Sequence, residues 1–466
     1  MSIQAVSMES APQAPRGQEF RYDSYRIDPA TGELACHYSV DGRRFTERIT
    51  LRPGGGWDRP AAAAAARLVF LLAGVSYYKT AAPPVIHTGD LALTRRERAF
   101  LREFYLDGLG EFAYRNGLDL SGLRIEGPEA PAPVAPQTSA VPQTSAAQPA
   151  PETPRRALVP FGGGIDSIVT VELVRPSADI ALFVVSRPGD RFEAIEQPAA
   201  VTGLPVVRAA REIDPQLLRS RELGFLNGHV PVTGIISAIA VLAAVLEDRD
   251  AVIMSNEWSA SVPTVQAGDH AVNHQYSKSA SFEAAFRGVL AQTPGLPEYF
   301  SALRARTELW IADQFAHLTQ YHSTFRSCNR AFHIDPARRL DHWCGQCDKC
   351  CFIDLILAPF LPAAELAGIF DGHEPLTDPA LAGRFRALLG DADLSKPFEC
   401  VGEVNECRAA VLLAADRPDR ASTDGLLDQL AAEVRSLPDQ PSTDGLLHPA
   451  GEHFIPASYA TKELLA

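Results

Sequence analysis

Hydrophobic and polar residues alternate in short stretches across 20–51, cut by turn residues: Phe20-Arg21-Tyr22, Pro29-Ala30-Thr31-Gly32, Cys36-His37-Tyr38-Ser39-Val40 and then Asp41-Gly42. Asp-Gly between alternating segments predicts a hairpin, because both central positions of the tight turn need positive φ. The pattern then turns helical over 61–72 and 95–116. The intervening Gly54-Gly55-Gly56 reads as a plain loop, since no strand-glycine-helix context follows it. From 129 to 154 Pro, Ala, Gln, Thr and Ser dominate and large apolar residues nearly vanish, which predicts a linker with too little to bury to offset ordering entropy.

Beyond the linker, apolar runs alternate with helical stretches. Strands are predicted at 157–161, 180–185, 204–207 and 251–254, and helices at 166–174, 191–202 and 233–247. Short apolar runs separated by helices predict a parallel sheet covered on both faces, with ligands at the carboxyl ends of its strands. The loop after Phe161, Ser186-Arg187 and Ser255-Asn256-Glu257-Trp258 all fall there. Past 375 the pattern weakens to helices at 380–389 and 408–415, and the stretch from 417 onward is expected to be partly disordered.

Composition narrows the class. The chain has 466 residues, 46% of them hydrophobic, and a net charge of -14 from 43 basic and 57 acidic residues, which makes nucleic acid a poor partner. Eight cysteines are too few for a disulfide scaffold, and half of them crowd into 344–351, an arrangement that suits metal in a reducing compartment. The first 18 residues are polar with no apolar signal region, and the apolar run at 235–246 is shorter than the ~20 residues a membrane span needs. A soluble, cytoplasmic protein is expected.

Three segments carry chemistry. Leu158-Val159-Pro160-Phe161-Gly162-Gly163-Gly164-Ile165-Asp166-Ser167 runs from an apolar strand through three glycines into a helix, the arrangement of a phosphate cradle. Gly162, Gly163 and Gly164 give close backbone approach, Ser167 is expected to add a hydroxyl donor, and Asp166 is expected to meet phosphate through a bridging Mg²⁺. The ordinary alternative is a glycine turn with Asp166 and Ser167 as helix caps. No G-x-x-x-x-G-K-[ST] occurs, so this is not a Walker loop. Cys328, Cys344, Cys347 and Cys350 form C-x15-C-x2-C-x2-C, a four-thiolate spacing suited to structural Zn²⁺, with Cys351 able to replace Cys350, pack in the core or react. His333 and His342 inside that span read as solvated. In Asn273-His274-Gln275-Tyr276-Ser277-Lys278-Ser279, Lys278 is the candidate for stabilising charge at an α-phosphate, against the plainer reading of a solvated lysine.

The G-G-x-D-S loop resembles the PP-loop of the ATP pyrophosphatase superfamily, although Phe161 and Gly162 stand where many such loops begin with serine. The cysteine arrangement is similar to that of the 7-cyano-7-deazaguanine synthases, whose zinc is structural. A fuller resemblance is to the UDP-N-acetylmuramoyl-L-alanyl-L-glutamate epimerases, MurL. It rests on Gly74-Val75-Ser76-Tyr77-Tyr78-Lys79, the glycine loop, Ser255-Asn256-Glu257-Trp258-Ser259, the polar Asn273-to-Ser279 stretch, Trp343-Cys344-Gly345-Gln346-Cys347-Asp348-Lys349-Cys350 and Pro397-Phe398-Glu399-Cys400-Val401-Gly402-Glu403.

That resemblance implies an α/β fold. The chain is expected to divide into a disordered 1–19, an α+β domain at 20–128, a linker at 129–156, a parallel-sheet PP-loop domain with zinc knuckle at 157–370, helices at 371–416 and a partly disordered tail at 417–466, of which roughly 20–407 carries the resemblance. The resemblance also implies ATP, Mg²⁺ and structural Zn²⁺, with a UDP-muramoyl dipeptide as substrate and neither nucleic acid nor membrane as partner. The terminal L-glutamate would be adenylated so that its α-proton becomes removable, then inverted. Asp166, Lys278 and Cys400 are the catalytic candidates; for the base, Glu403 and Glu406 stand beside Cys400, with a helix-start carboxylate pair and a buried cysteine as the plainer reading. The competing readings are an adenylating ligase or nitrile synthase of the deazaguanine type, and a nucleotide- and zinc-binding module without a reaction.

Overall fold

The computed structural model describes residues 16–131, 154–263, 265–267, 270–391, 394, 397, 399, 401–420, 424–439, 441–449 and 451–465. Most of the expected linker and Cys400 lie outside them. The strands are β1 Glu19–Asp28, β2 Glu33–Val40, β3 Arg43–Thr50, β4 Val85–His87, β5 Arg124–Glu126, β6 Arg156–Pro160, β7 Asp179–Ser186, β8 Val206–Glu212, β9 Ala251–Met254, β10 Val265–Ala267, β11 His270–Val272 and β12 Glu298–Ser301. The principal helices are α1 Pro60–Ala73, α2 Arg95–Leu106, α3 Gly110–Asn116, α4 Ile165–Val174, α5 Glu193–Thr202, α6 Val232–Leu246, α7 Ala280–Leu290, α8 Glu308–Ala316, α9 Asp348–Leu357, α10 Val404–Ala415 and α11 Leu426–Arg435.

Ten strands form one sheet in the order β12-β9-β6-β7-β8-β3-β2-β1-β4-β5, with β10 and β11 pairing separately. The first five are mutually parallel. Along them the side chains alternate between two cores, as the two-residue strand period requires: Ala157, Val159, Ile180, Leu182 and Ile253 enter one, and Leu158, Ala181, Phe183 and Val252 the other. Helices α4, α5 and α9 to α11 cover the first face, and α1, α2, α6 and α7 the second. Helix α1 is apolar all round because it packs against the equally apolar α6. With the short turn after it, α1 makes the one helical segment among the described residues long and apolar enough to cross a membrane, and 78% of it is buried inside the fold.

The hairpin expected at Asp41-Gly42 joins β2 to β3, with φ of 50° and 79° at the two turn residues. The N-terminal meander joins the parallel strands edge to edge through antiparallel β3 and β8, Ile49 facing Arg211. A buried ion pair marks the seam. Arg211 Nε donates to Glu47 Oε1 at 2.8 Å and Tyr77, from the Gly74-to-Lys79 segment, donates its hydroxyl to Glu47 Oε2 at 2.9 Å.

Three expectations change. The helix expected over 95–116 breaks at 107–109, where Gly108 lies against Pro231 so closely that a Cβ would approach Pro231 Cγ to 2.7 Å. The strand expected at 204–207 runs from Val206 to Glu212, extended by its pairing with β3. The stretch past 417, expected to be partly disordered, buries Leu426, Leu427, Leu430, Ala431 and Val434 on α11, and Tyr459 packs on Phe300 at 5.3 Å.

Candidate functional site

At the carboxyl end of β6 the chain turns through Phe161 to Gly164 and enters α4. Gly163 has φ +75°, and a Cβ there would run into the Ala194 carbonyl oxygen, so this glycine is demanded by the fold. Gly162 is different: a Cβ would meet nothing within 4 Å. Helix α4 has no side-chain N-cap, because Gly164 occupies that position, so no capping side chain satisfies its first amides. Ser167 departs from expectation. Its hydroxyl, expected as a donor to phosphate, donates in this structure to the Gly164 carbonyl at 3.0 Å inside the first turn.

Around this loop the fold leaves buried polar atoms without a protein partner. They include Asp166 Oδ1, Ser255 Oγ, Glu257 Oε2, Ser259 Oγ, Glu308 Oε2, Ser327 Oγ, Arg326 Nη1 and Glu406 Oε1. Buried polar groups normally pair, so so many together point to groups that a ligand satisfies. Burial, and then the neighbouring Glu257, push the Asp166 carboxyl up to about 6, against the opposing pull of Lys349 and Lys278. Glu308 is driven well above the usual carboxylate range by burial and then by Asp166 and Glu257, and burial raises Glu406 to about 8. Asp166, Glu257, Glu308, Lys278 and Lys349 thus share one electrostatic field, in which the carboxyls disfavour one another's charge.

Arg304 holds two of the walls. Buried at 2% exposure, it pairs with Glu283 at 2.9 Å and donates to the Glu257 carbonyl at 3.0 Å and the Lys278 carbonyl at 2.6 Å. The 255–261 and 273–279 segments are thereby fixed to each other and to the loop after β12. Neither Arg304 nor Glu308 is signalled by any motif in the sequence. A cleft of about 790 Å³ opens beside the second segment, lined by Gly110, Tyr114 and Leu118 on one side and Val272, Asn273 and Tyr276 on the other.

The sulfurs of Cys328, Cys344, Cys347 and Cys350 lie within 4.8 Å of one another and could hold a metal ion. Cys344 and Cys347 approach Cys350 to 3.6 and 3.4 Å, close to the roughly 3.8 Å edge of a tetrahedron with zinc–sulfur bonds of about 2.3 Å. Cys351 stands outside the group, fully buried in the core, and burial raises its thiol to about 12. The cluster also reaches the glycine loop. A Cβ on Gly164 would come within 3.7 Å of Cβ of Ser327, next to Cys328, and Lys349, between Cys347 and Cys350, acts on Asp166. Of the sequence-derived candidates, the loop, Asp166 and Lys278 are brought together; Cys400 lies outside the described residues, and Glu403 is the N-cap of α10, accepting from Asn405 N at 2.7 Å.

Residues 11–302 match the MurL N-terminal domain and residues 324–444 the MurL C-terminal domain, so the first unit spans both the meander and the glycine loop, as the continuous sheet does. Three relatives carry the name UDP-N-acetyl-alpha-D-muramoyl-L-alanyl-L-glutamate epimerase. The protein from Xanthomonas oryzae pv. oryzae is 41% identical over 86% of each chain, and that from Salinispora tropica 39% over 96% of each. The one from Micromonospora sp. is 37% identical over 96% of this chain and 98% of its own. No solved structure matches the chain. With both domains matched and relatives similar over almost their whole length, the chain belongs to the MurL family.

Proposed function

We propose that this chain is an ATP-dependent epimerase of peptidoglycan precursor synthesis. It activates the terminal L-glutamate carboxylate of UDP-N-acetylmuramoyl-L-alanyl-L-glutamate as an acyl adenylate, inverts the α-carbon and releases the D-glutamyl product with AMP and pyrophosphate. The observation that carries the reading is the glycine loop at an uncapped helix N-terminus, ringed by unpartnered polar atoms, in a chain whose relatives bear that epimerase name. Neither the ligase nor the non-catalytic reading is favoured by those names.

The α-hydrogen of a carboxylate resists removal because the carbanion would place two negative charges on one small group. Converting the carboxylate to a mixed anhydride with AMP neutralises it and turns the carbonyl into an electron sink. In this reading the loop is a PP-loop: the amides at 164–167 hold the departing pyrophosphate, and Lys278 and Lys349 stabilise charge at the reacting phosphate. The unpartnered oxygens of Asp166, Glu257 and Glu308 fit Mg²⁺, which would neutralise triphosphate charge when bound. The four thiolates fit structural Zn²⁺ and would fix Ser327 and Lys349 against the loop. The cleft beside Asn273 is suited in size to the nucleotide-sugar portion of the substrate. Such chemistry belongs in the cytoplasm and needs neither nucleic acid nor membrane.

The test is chiral analysis of glutamate from substrate incubated with ATP or with its α,β-methylene analogue, which cannot be cleaved between those phosphates. D-Glutamate with ATP alone supports the reading. Inversion without nucleotide, or with the analogue, overturns it.

A further inference from the structure

Adenylation makes the α-proton acidic but does not remove it, and the groups around Asp166 are occupied with phosphate and charge. A second, partly buried cluster lies at the same carboxyl end of the strands. His229 sits in the connection leaving the carboxyl end of β8, and His274 in the one leaving β9, as the glycine loop leaves β6. Glu111, on α3, reaches both. His274 Nδ1 hydrogen-bonds Glu111 Oε2, His229 Nδ1 lies 3.9 Å from the same oxygen, and the two imidazoles are in contact with centroids 4.4 Å apart. His274 precedes Lys278 by four residues, so at full extension the two lie no more than about 14 Å apart.

Three ligand atoms this close could hold a metal ion, but the surrounding charge opposes a dication. Arg115 Nε is already on Glu111 Oε1 at 2.6 Å, and the half-buried Lys79 acts on His229 while donating to Asn227 Oδ1 at 3.0 Å and the Gly228 carbonyl at 2.9 Å. Burial, and then His274, push the His229 imidazole down to about 4, so it is neutral at physiological pH. Against burial, Glu111 is held below the usual carboxylate range by its bond to His274 and by Arg115, and an ionised carboxylate can only accept, so His274 Nδ1 carries a proton and, in the neutral ring, Nε2 is the basic nitrogen. A carboxylate that orients an imidazole and stabilises its protonated form is the arrangement of a general base.

We propose that His274, oriented by Glu111 and flanked by His229, removes the α-proton of the activated glutamate. This rests on the adenylation reading for how the proton becomes acidic. The Cα–H bond breaks as the Nε2–H bond forms, and the electron pair moves onto the acyl carbonyl oxygen to give an enolate. Water on the opposite face returns a proton to Cα, and the imidazolium neutralises the hydroxide left behind. Glu111 acts through His274 as a positioning residue.

The test separates the two partial reactions. In D₂O, deuterium uptake at the glutamate α-carbon reads proton transfer, and substrate-dependent ATP–pyrophosphate exchange reads adenylation. His274→Gln is expected to slow uptake by about 100-fold or more while exchange persists, which also shows that the variant is folded. Glu111→Gln is expected to lower kcat for uptake with little change in KM and to move the acid limb of its pH profile downward, because the imidazolium loses its counter-charge. Uptake by His274→Gln at the wild-type rate overturns the assignment. So does parallel loss of uptake and exchange, which marks a structural role, and so does one bound metal ion fewer in a His229→Gln/His274→Gln double variant than in wild type. A wild-type enzyme that takes up deuterium without exchange refutes adenylation instead, and the His274→Gln comparison still decides the base.

Discussion

Two adjacent glycines of the loop separate a fold requirement from a ligand requirement. Gly163 needs its positive φ, and alanine there costs about 1–2 kcal/mol in backbone strain before its Cβ meets the Ala194 carbonyl and comes within 3.0 Å of Pro198 Cγ. Gly163→Ala is therefore expected to destabilise the protein by roughly 2 kcal/mol or more. At Gly162 φ is not in the left-handed region and a Cβ has open space, so alanine is expected to stabilise the fold by about 0.4–1 kcal/mol through the unfolded chain. That same space is where a phosphate would lie. Gly162→Ala is thus expected to raise the unfolding midpoint slightly while lowering ATP-dependent kcat/KM by about tenfold or more, equivalent to ~1.4 kcal/mol of lost transition-state binding. The assays are urea unfolding by circular dichroism and AMP release under subsaturating ATP. Full activity in a stabilised Gly162→Ala would refute the cradle, since the glycine would then serve only the turn.

Cys350→Ser is expected to abolish metal binding while Cys351→Ser retains it, as metal analysis of the purified variants will show; the reverse pattern would reassign the fourth thiolate. The carboxyls of Asp166 and Glu406 have folded pKa values raised to about 6 and about 8, so their contribution to stability is full below pH ~4 and is lost as pH rises through those values. Calorimetry of the nucleotide-free protein should find Tm falling between about pH 4 and 8, with at most about 3 kcal/mol of unfolding free energy lost through Asp166 and a shallower fall in Glu406→Gln; a flat profile would contradict the buried acid cluster. Glu283→Gln leaves Arg304 buried without its ion pair and is expected to cost about 3–5 kcal/mol, together with a raised KM for ATP as the Glu257 and Lys278 segments loosen. A loss of stability without any change in KM would detach Arg304 from the site.

Much of the fold was legible because the relevant signals are local. Asp41-Gly42 fixes a turn through two positive φ values, and the strand-glycine-helix order at 158–167 announces itself within ten residues. The join of β3 to β8 was not, since Arg48 and Glu212 are distant in sequence and nothing near either names its partner. For α11 the signal was present: Leu426, Leu430, Ala431 and Val434 follow a helical stripe, masked by the polar residues on either side. At the candidate site, the turn from Gly162 into the helix and the clustering of the four cysteines follow from local spacing. Glu308, Arg304 and Lys349 act there only because β12, α8 and the knuckle converge on the loop. Likewise Glu111 and His229 are ordinary residues until α3 and the approach to α6 bring them to His274.

The most direct measurement follows one oxygen atom. Substrate carrying ¹⁸O in the glutamate α-carboxylate, turned over with ATP, must pass one labelled oxygen into the phosphate of AMP if that carboxylate attacks the α-phosphorus and water then attacks the acyl carbon of the anhydride. Label in orthophosphate accompanied by ADP, or D-glutamyl product formed with unlabelled nucleotide, would contradict adenylation.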